Sequence, residues 1–186
     1  MSTKFYISDW HYDHANCIAF DNRPFKTVVE MNEELIKRWN ERVGEDDLVY
    51  VVGDMFWCKA TEAIEVMDEL NGSKILIKGN HDRVKDATFA KKFDAIYNYA
   101  EVEDCGQNIV LCHYPMPCFK NHHYGWYHFY GHVHSSFEYN MMEHQKYLME
   151  QLYEKSCKMY NVGAMMPYID YTPRTFQEIT GEVTDG

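Results

Sequence analysis

The segment LVYVVGD, residues 48–54, decides the fold class. A run of apolar residues that ends in glycine and aspartate is typical of a strand buried on both faces and followed by a sharp turn. Residues 61–70 then have helical periodicity, and KILIK at residues 74–78 predicts another buried strand after a turn at Gly72. A strand, a helix and a strand in this order indicate a parallel pair.

The same alternation extends toward the start of the chain. Residues 4–8 predict a first strand, and residues 27–42 predict a helix with Thr27 as its N-cap. We therefore expect an α/β fold with a mostly parallel sheet in the first half. Beyond Asp94 the pattern changes to short strands and one helix. Strands are predicted at residues 96–102, 107–112, 126–130 and 157–162, and the helix at residues 141–154.

Polar residues follow the predicted strands at the points where the strands end. The carboxyl ends of the predicted strands carry Asp9, Asp54, Asn80 and His113. In open α/β sheets, ligands bind outside the carboxyl ends of the strands. The sequence therefore predicts a site at this edge.

Five short clusters contain side chains that can bind a divalent ion. They are Asp9-Trp10-His11, Gly53-Asp54, Gly79-Asn80-His81-Asp82, Cys112-His113-Tyr114, and Gly131-His132-Val133-His134. An extended backbone would point both side chains of Asp-x-His, or of His-x-His, toward one site. The glycines before Asp54, Asn80 and His132 would let the backbone turn sharply and approach an ion or a phosphate.

The types of ligand narrow the chemistry. Carboxylate, imidazole and amide groups without a thiolate suit manganese, iron, zinc or nickel better than a closed structural zinc site. Seven ligands are too many for one four-coordinate ion, and they suffice for two ions if Asp54 bridges them. Taken singly, each cluster also fits a turn, a cap or a hydrogen-bonded structural residue. Their combination favours a metal site, because stacking several polar groups that are costly to bury has little structural purpose.

Length, composition and charge limit the alternatives. We expect one domain over residues 1–186. The formal net charge of −11 disfavours electrostatic binding of nucleic acid. No apolar run approaches the ~20 residues that span a bilayer, and no signal sequence or paired short cysteine spacing is evident. These features predict a cytoplasmic protein with no membrane segment; the oligomeric state stays open.

At this point the sequence resembles the calcineurin-like metallophosphoesterase superfamily, whose pattern of D-x-H, GD, GNH[DE], H and GHxH it matches in order. The stretches FDNRPF and DLVYVVGD, and the tail with NVG and YTPRTFQEI, are similar to a small bacterial and phage-type branch of phosphoesterases. The resemblance implies a four-layer α/β/β/α sandwich with a dinuclear metal site at the strand ends.

The resemblance also implies a role for each matched residue. One ion would be bound by Asp9, His11, Asp54 and His134, and the other by Asp54, Asn80, His113 and His132. His81 would be the general acid that protonates the leaving oxygen, and Asp82 would pair with His81 to raise its basicity.

Departures from the wider pattern bear on the substrate. The GD motif continues into MFWC, residues 55–58, instead of the Asp-Arg-Gly of the phosphoprotein phosphatases, which disfavours a protein phosphatase. His14, Arg23 and Arg83 are candidates for substrate contacts, the arginines because guanidinium binds phosphate through two hydrogen bonds. The segment CFKNHHYGWYH, residues 118–128, is either an aromatic rim for a planar substrate or a buried loop with satisfied histidines.

These observations favour hydrolysis of a small phosphate ester, a phosphodiester or a nucleotide-like compound, by metal-activated water. Two alternatives stay open: a metal-dependent nuclease, and a non-catalytic interaction module on the same fold.

Overall fold

The first half of the chain forms a parallel sheet in the computed structural model, which describes residues 2–154 and 157–182. The sheet has the order β1-β2-β3-β4, so each strand pairs with the next one along the chain. Tyr6 lies opposite Tyr50, which lies opposite Ile75. The parallel sheet expected from the alternation of strands and helices is confirmed. Its strands are β1 (Lys4–Ile7), β2 (Leu48–Val51), β3 (Ser73–Ile77) and β4 (Ala95–Tyr97).

Helices connect these strands. The longest of them begins after Thr27, whose side chain accepts a hydrogen bond from Glu30 N at 3.1 Å, as predicted for an N-cap. Its buried residues Met31, Leu35 and Trp39 recur at helical spacing and pack into the core. The helices of this half are α1 (Ala15–Phe20), α2 (Val28–Arg42), α3 (Ala60–Glu69) and α4 (Ala87–Ala90).

The second half forms a mixed sheet with the order β5-β6-β7-β8. Only the β5–β6 pair is antiparallel, and the other two pairs are parallel. A long helix, α5 (Phe137–Tyr153), connects the last two strands, and α6 (Phe176–Thr180) follows them. The strands are β5 (Ala100–Asp104), β6 (Gln107–Leu111), β7 (Tyr127–Tyr130) and β8 (Met159–Asn161).

Alternation along β6 shows that this sheet is covered on both faces. Ile109 and Leu111 belong to the main core shared with the first sheet, whereas Val110 packs on the opposite face with Met149 of α5. Across the main core, Tyr6 meets Phe129 edge to face at 4.9 Å between ring centroids. The layers are therefore helices, sheet, sheet and helix, and the α/β/β/α sandwich is confirmed.

Backbone hydrogen bonds hold the ends of the two sheets together. Ser8 N donates to Val162 O at 2.8 Å, and Ala164 N donates to Ser8 O at 2.8 Å. The carboxyl ends of β1 and β8 are thus side by side. The loops that follow β1, β2 and β3 and those that follow β6 and β7 consequently meet at one edge of the sandwich.

Several boundaries differ from the predictions. The single strand expected at residues 96–102 is two strands, because β4 belongs to the first sheet and β5 to the second. The last long helix begins at Phe137 rather than at 141, since the Ser136 side chain caps it by accepting from Glu138 N. The expectation of one helix after Asp94 was also wrong, because α6 follows β8. Within residues 2–154 and 157–182, no helix is long and apolar enough to span a bilayer.

Candidate metal centre

Five loops bring the seven predicted ligands to the shared edge of the two sheets. The loops follow β1, β2 and β3 of the first sheet and β6 and β7 of the second. Backbone hydrogen bonds join them: Asp9 N donates to Gly53 O at 3.0 Å, and His11 N donates to Asp54 O at 3.1 Å. In the second sheet, Gly131 N donates to His113 O at 2.9 Å.

The donor atoms of these side chains form two groups. Asp9, His11 and His134 make up the first, and Asp9, Asp54 and His113 the second; the donor atoms of each group lie within 4.8 Å of one another. Asp9, which the sequence interpretation assigned to one ion only, belongs to both groups.

The two remaining predicted ligands lie beside the second group. Asn80 Oδ1 is 3.2 Å from His113 Nε2, and the His132 ring centroid is 5.1 Å from that of His113. The structure therefore brings all seven predicted residues together.

The backbone at most of these ligands is left-handed. The φ angle is 50° at Asp9 and at His11, 53° at Asp54, 71° at His132 and 49° at His134. The extended backbone that the sequence interpretation assumed for the Asp-x-His and His-x-His pairs is not found, and Asp9, His11 and His134 converge on a left-handed backbone instead. For residues other than glycine this conformation is strained, and such strain is concentrated at functional sites.

Two of the predicted glycines allow close approach of the loops. A Cβ atom at Gly79 would overlap the Asp54 carboxylate, and one at Gly131 would overlap Ser8 and the Asp9 carboxylate. A larger residue at either position would displace a carboxylate of the site. The glycines are therefore needed for packing the ligand loops against one another.

One oxygen of Asp9 is held by the protein, and the other is not. Oδ2 lies 2.8 Å from Ser8 Oγ and accepts from His132 N at 3.0 Å. Within the described residues, the buried Oδ1 atom and the buried Nε2 atom of His11 have no hydrogen-bond partner, and they lie 3.8 Å apart. Burying such atoms unsatisfied is costly. A divalent cation would satisfy both, so the residues present fit a metal ion.

Charges inside the cluster support the same interpretation. Burial raises the pKa of the Asp9 carboxyl, but the His11, His113 and His134 rings outweigh it and hold that pKa well below its usual range. Burial lowers the pKa of His113, yet Asp54 and Asp9 raise it to about 9. The carboxylates thus favour the protonated, positively charged form of the neighbouring imidazole. A metal ion bound to the imidazole can supply the same positive charge in place of the proton.

Hydrogen bonds orient two of the histidine rings. His113 Nδ1 lies 2.8 Å from Val52 O, which leaves Nε2 at 3.4 Å from Asp54 Oδ2. His134 Nδ1 lies 2.9 Å from Asp21 Oδ1, which leaves Nε2 at 3.6 Å from Asp9 Oδ1. Partners of this kind fix the ring orientation of metal-binding histidines. Sequence reasoning did not identify Asp21, although it lies in the FDNRPF stretch.

Arg23 is not available to a substrate, contrary to the prediction. Its side chain is fully buried and donates from Nε and Nη2 to Asp21 Oδ2, both at 3.1 Å. It also donates to the backbone oxygens of Trp10 and Asp9, each at 2.9 Å. Arg23 therefore anchors Asp21 and the first ligand loop.

Asp82 does not pair with His81 as predicted. Its carboxylate accepts from three backbone nitrogens, those of Asp54 at 3.0 Å, Met55 at 3.1 Å and Gly79 at 2.7 Å. In the described part of the chain no hydrogen bond joins it to the His81 ring. Burial raises the pKa of Asp82, and the nearby Asp54 charge adds to that shift. Asp82 ties the second ligand loop to the third.

Asn161 supports the last ligand loop, and sequence reasoning did not single it out. Its Nδ2 donates to His134 O at 2.8 Å, and its Oδ1 accepts from Gly163 N at 2.9 Å. The residue is buried at the end of β8. Through this contact the NVG tripeptide, residues 161–163, supports the loop that carries His134.

A sequence model of the calcineurin-like phosphoesterase superfamily domain matches residues 5–181. The chain belongs to the calcineurin-like phosphoesterase superfamily. The predicted resemblance is confirmed over nearly the whole length. Membership indicates metal-dependent hydrolysis of a phosphoester, and the Asp and His groups described above agree with it.

Several proteins are similar to this superfamily member in sequence or in fold. An uncharacterized protein of Methanocaldococcus jannaschii, MJ1445, is 40% identical over 139 residues, which cover 73% of this chain and 72% of the relative. The Gene 66 protein of Mycobacterium phage L5 is 33% identical over 85 residues, 44% of this chain and 41% of the phage protein. A protein of unknown function from Aquifex aeolicus, AQ665, has a TM-score of 0.65 at 22% identity and covers 98% of this chain and 100% of its own. That last likeness shows the fold alone.

A cavity of about 590 Å³ opens beside the phosphoesterase site. Asn80, the exposed His81 and the exposed Arg83 line it together with Trp57. The His81 backbone N–H donates to Asp54 Oδ1 at 2.8 Å, and the His81 and Trp57 ring centroids are 4.6 Å apart. Arg83, a candidate for a substrate contact in the sequence analysis, thus lies at the cavity.

His14 stacks on one face of the indole of Trp57. The two rings stack with centroids 3.9 Å apart and planes at 5°, and His14 Nδ1 is 3.3 Å from His11 Nδ1. Burial and the neighbouring His11 lower the pKa of His14 to about 4. His14 is therefore beside the site, and its contact with a substrate stays a prediction.

The segment at residues 118–128 contains one firmly buried histidine. His128 Nδ1 lies 3.0 Å from Val110 O, and its Nε2 accepts from Met116 N at 3.1 Å. Burial lowers the pKa of His128 to about 4, so this ring is neutral at pH 7. Of the two interpretations of this segment, His128 fits the loop with satisfied histidines.

Proposed function

We propose that this phosphoesterase hydrolyses a small phosphate ester, of the phosphodiester or nucleotide-like class, at a centre of two divalent ions. The observation that carries the proposal is the pair of buried donor atoms, Asp9 Oδ1 and His11 Nε2, which find no hydrogen-bond partner in the described residues. They stand among converging carboxylate and imidazole atoms. A site built in this way needs a cation.

Seven residues would hold the ions. In this proposal Asp9, His11, Asp54 and His134 would bind one ion, while Asp54, Asn80, His113 and His132 would bind the other. Asp9, whose donor atoms belong to both groups, lies beside Asp54 between the two sets. Manganese, iron, zinc and nickel all suit such ligands, and availability decides among them. When bound, the ions supply a positive charge for the phosphoryl oxygens and activate water as the nucleophile.

His81 is the proposed general acid. It is exposed at the cavity, and its backbone is fixed by the hydrogen bond to Asp54. In the reaction, water oxygen bonds to phosphorus as the ester oxygen leaves, and the imidazolium of His81 gives its proton to that oxygen. Because Asp82 is occupied by backbone nitrogens, His81 would act without a carboxylate partner from that residue.

Replacing His81 by alanine tests this role. With an alkyl leaving group we expect kcat to fall by about 10²–10⁴-fold, because the departing alkoxide then lacks a proton donor. With bis(p-nitrophenyl) phosphate the loss should stay below about tenfold, since nitrophenolate leaves as a stable anion. Steady-state kinetics on both esters, with metal content measured alongside, provide the comparison. Equal losses on both esters, or full activity on both, would remove His81 from this role.

The alternatives receive less support. A nuclease must bind a polyanionic backbone, and the formal net charge of −11 opposes that. A non-catalytic module has no need for the predicted ligands, yet all of them are brought together with His81 beside them. A cytoplasmic location and a single domain stay predictions from the sequence.

A further inference from the structure

The cavity beside the metal centre extends well past the proposed ligands. Its volume of about 590 Å³ suits a ligand of nucleotide size. Asn80 and His81 line the cavity, and so do Lys78, Arg83 and Lys85. A substrate whose scissile phosphate lies at the metal centre would therefore extend past His81 toward the three cationic side chains.

These three cations have no charged partner of their own. Within the described residues, no ion pair involves Lys78, Arg83 or Lys85. The other four arginines, in contrast, each contact a carboxylate. Unpaired cations that share a cavity in a protein of net charge −11 indicate an anionic ligand.

The acidic residues of the cavity do not cancel this charge locally by pairing with the cations. Asp82 accepts from three backbone nitrogens. Asp86 accepts from Thr88 N and Phe89 N at the start of α4. Both carboxylates are directed to backbone groups, so the three cationic head groups remain available to a ligand.

An aromatic wall completes the cavity. Trp57 lines it, and its indole is held in place by the stack on His14 at 3.9 Å. Phe56 lies next to it and packs edge to face on Phe89. A rigid indole near cationic groups suits a planar base attached to a phosphate.

We propose that the cavity binds a second phosphate group of the substrate. The substrate is then a nucleotide with two separate phosphates: one lies at the metal centre, Lys78, Arg83 and Lys85 bind the other, and the base lies against Trp57. This inference rests on the proposed function for the orientation of the substrate. It goes beyond that function by naming a phosphate subsite and its residues.

Binding of matched nucleotides tests the phosphate subsite. Adenosine 3′,5′-bisphosphate and adenosine 5′-monophosphate share base and sugar and differ by one phosphate. Calorimetry on the metal-loaded protein should give a bisphosphate affinity about 1,000-fold higher, since each of the three charge-assisted hydrogen bonds contributes roughly tenfold. Ribose 3,5-bisphosphate, which lacks the base, should bind about tenfold more weakly than the adenosine compound. Equal affinity for the two adenosine nucleotides would overturn the subsite, and equal affinity for the two bisphosphates would overturn the contact with Trp57.

Two double variants with the same net charge distinguish direct phosphate binding in the cavity from the effect of the protein's overall charge. In Arg83→Gln/Lys85→Gln the preference for the bisphosphate should fall by about 100-fold. In Lys26→Gln/Lys91→Gln, which removes two exposed cations that do not line the cavity, it should persist. The same loss in both variants would contradict the subsite.

Hydrolysis of bis(p-nitrophenyl) phosphate, measured on the same samples, keeps the two proposals apart. Its absence, with the preference for bisphosphate intact, would contradict only the proposed function. Its presence without that preference would contradict only the subsite.

Discussion

Replacing Asp54 by asparagine is expected to lower kcat/KM by about 1,000-fold, equivalent to about 4 kcal/mol of transition-state stabilisation. The Asp54 carboxylate lies 3.4 Å from His113 Nε2 through one oxygen and accepts from His81 N at 2.8 Å through the other. It is the proposed bridge between the ions. The amide oxygen of asparagine can still accept from His81 N, so the loop should keep its conformation while the negative charge is lost. Hydrolysis of bis(p-nitrophenyl) phosphate measures the effect.

The matched control is Asp46→Asn. Asp46 is exposed in the loop before β2. Its replacement by asparagine removes the same negative charge at a position that does not contact the site. Its activity and metal content should equal those of the unmodified protein. An Asp54→Asn protein that keeps both its metal content and its turnover would exclude Asp54 as a bridging ligand.

Replacing Asp21 by alanine should lower the free energy of unfolding by about 3–5 kcal/mol, because it leaves the buried Arg23 guanidinium without its countercharge. The same change should weaken metal binding by about 10–100-fold, because the His134 ring loses the acceptor of its Nδ1 proton. Both side chains of the ion pair are almost fully buried, and Asp21 contacts Arg23 and His134 at once. Chemical denaturation and metal titration measure the two effects separately.

The double variant Asp21→Ala/Arg23→Met separates positioning from stability. Removing both charges should recover part of the lost stability, since no unpaired ion is then buried. Metal affinity should stay low, because His134 still lacks its acceptor. Recovery of both quantities together would show that Asp21 acts only through stability and does not orient the histidine.

The strands and the ligand loops could be predicted from local sequence. Apolar runs such as LVYVV, residues 48–52, bury both faces of a parallel strand, and this property is evident without knowing the partner strand. The polar residue after each run then falls at the carboxyl edge wherever the strand pairs. For this reason the positions of Asp9, Asp54, Asn80 and His113 at this edge can be predicted without the sheet order.

The partners of buried charged groups could not be predicted in the same way. Asp82 is next to His81 in sequence, but its carboxylate accepts hydrogen bonds from three backbone nitrogens of two loops instead of from the His81 ring. The sequence does not indicate a partner for the Arg23 guanidinium. Only the fold shows that it donates to Asp21 and to two backbone oxygens. Such choices depend on residues distant in the chain.

The missed structural elements have similar causes. β4 pairs in the first sheet and β5 in the second, so the chain breaks between them. The alternation of side chains along a strand is the same in either sheet, and the sequence pattern therefore does not reveal the break. Helices α1, α4 and α6 contain 6, 4 and 5 residues, too few to establish a helical period. The left-handed backbone at Asp9 and His11 is imposed by hydrogen bonds to the neighbouring loop.

Anomalous diffraction from crystals of the manganese-reconstituted protein tests the central claim most directly. The account predicts two manganese peaks per chain, one contacting Asp9, His11 and His134 and the other contacting Asn80, His113 and His132, with Asp54 between them. A single peak, or two peaks away from these side chains, would contradict the dinuclear centre.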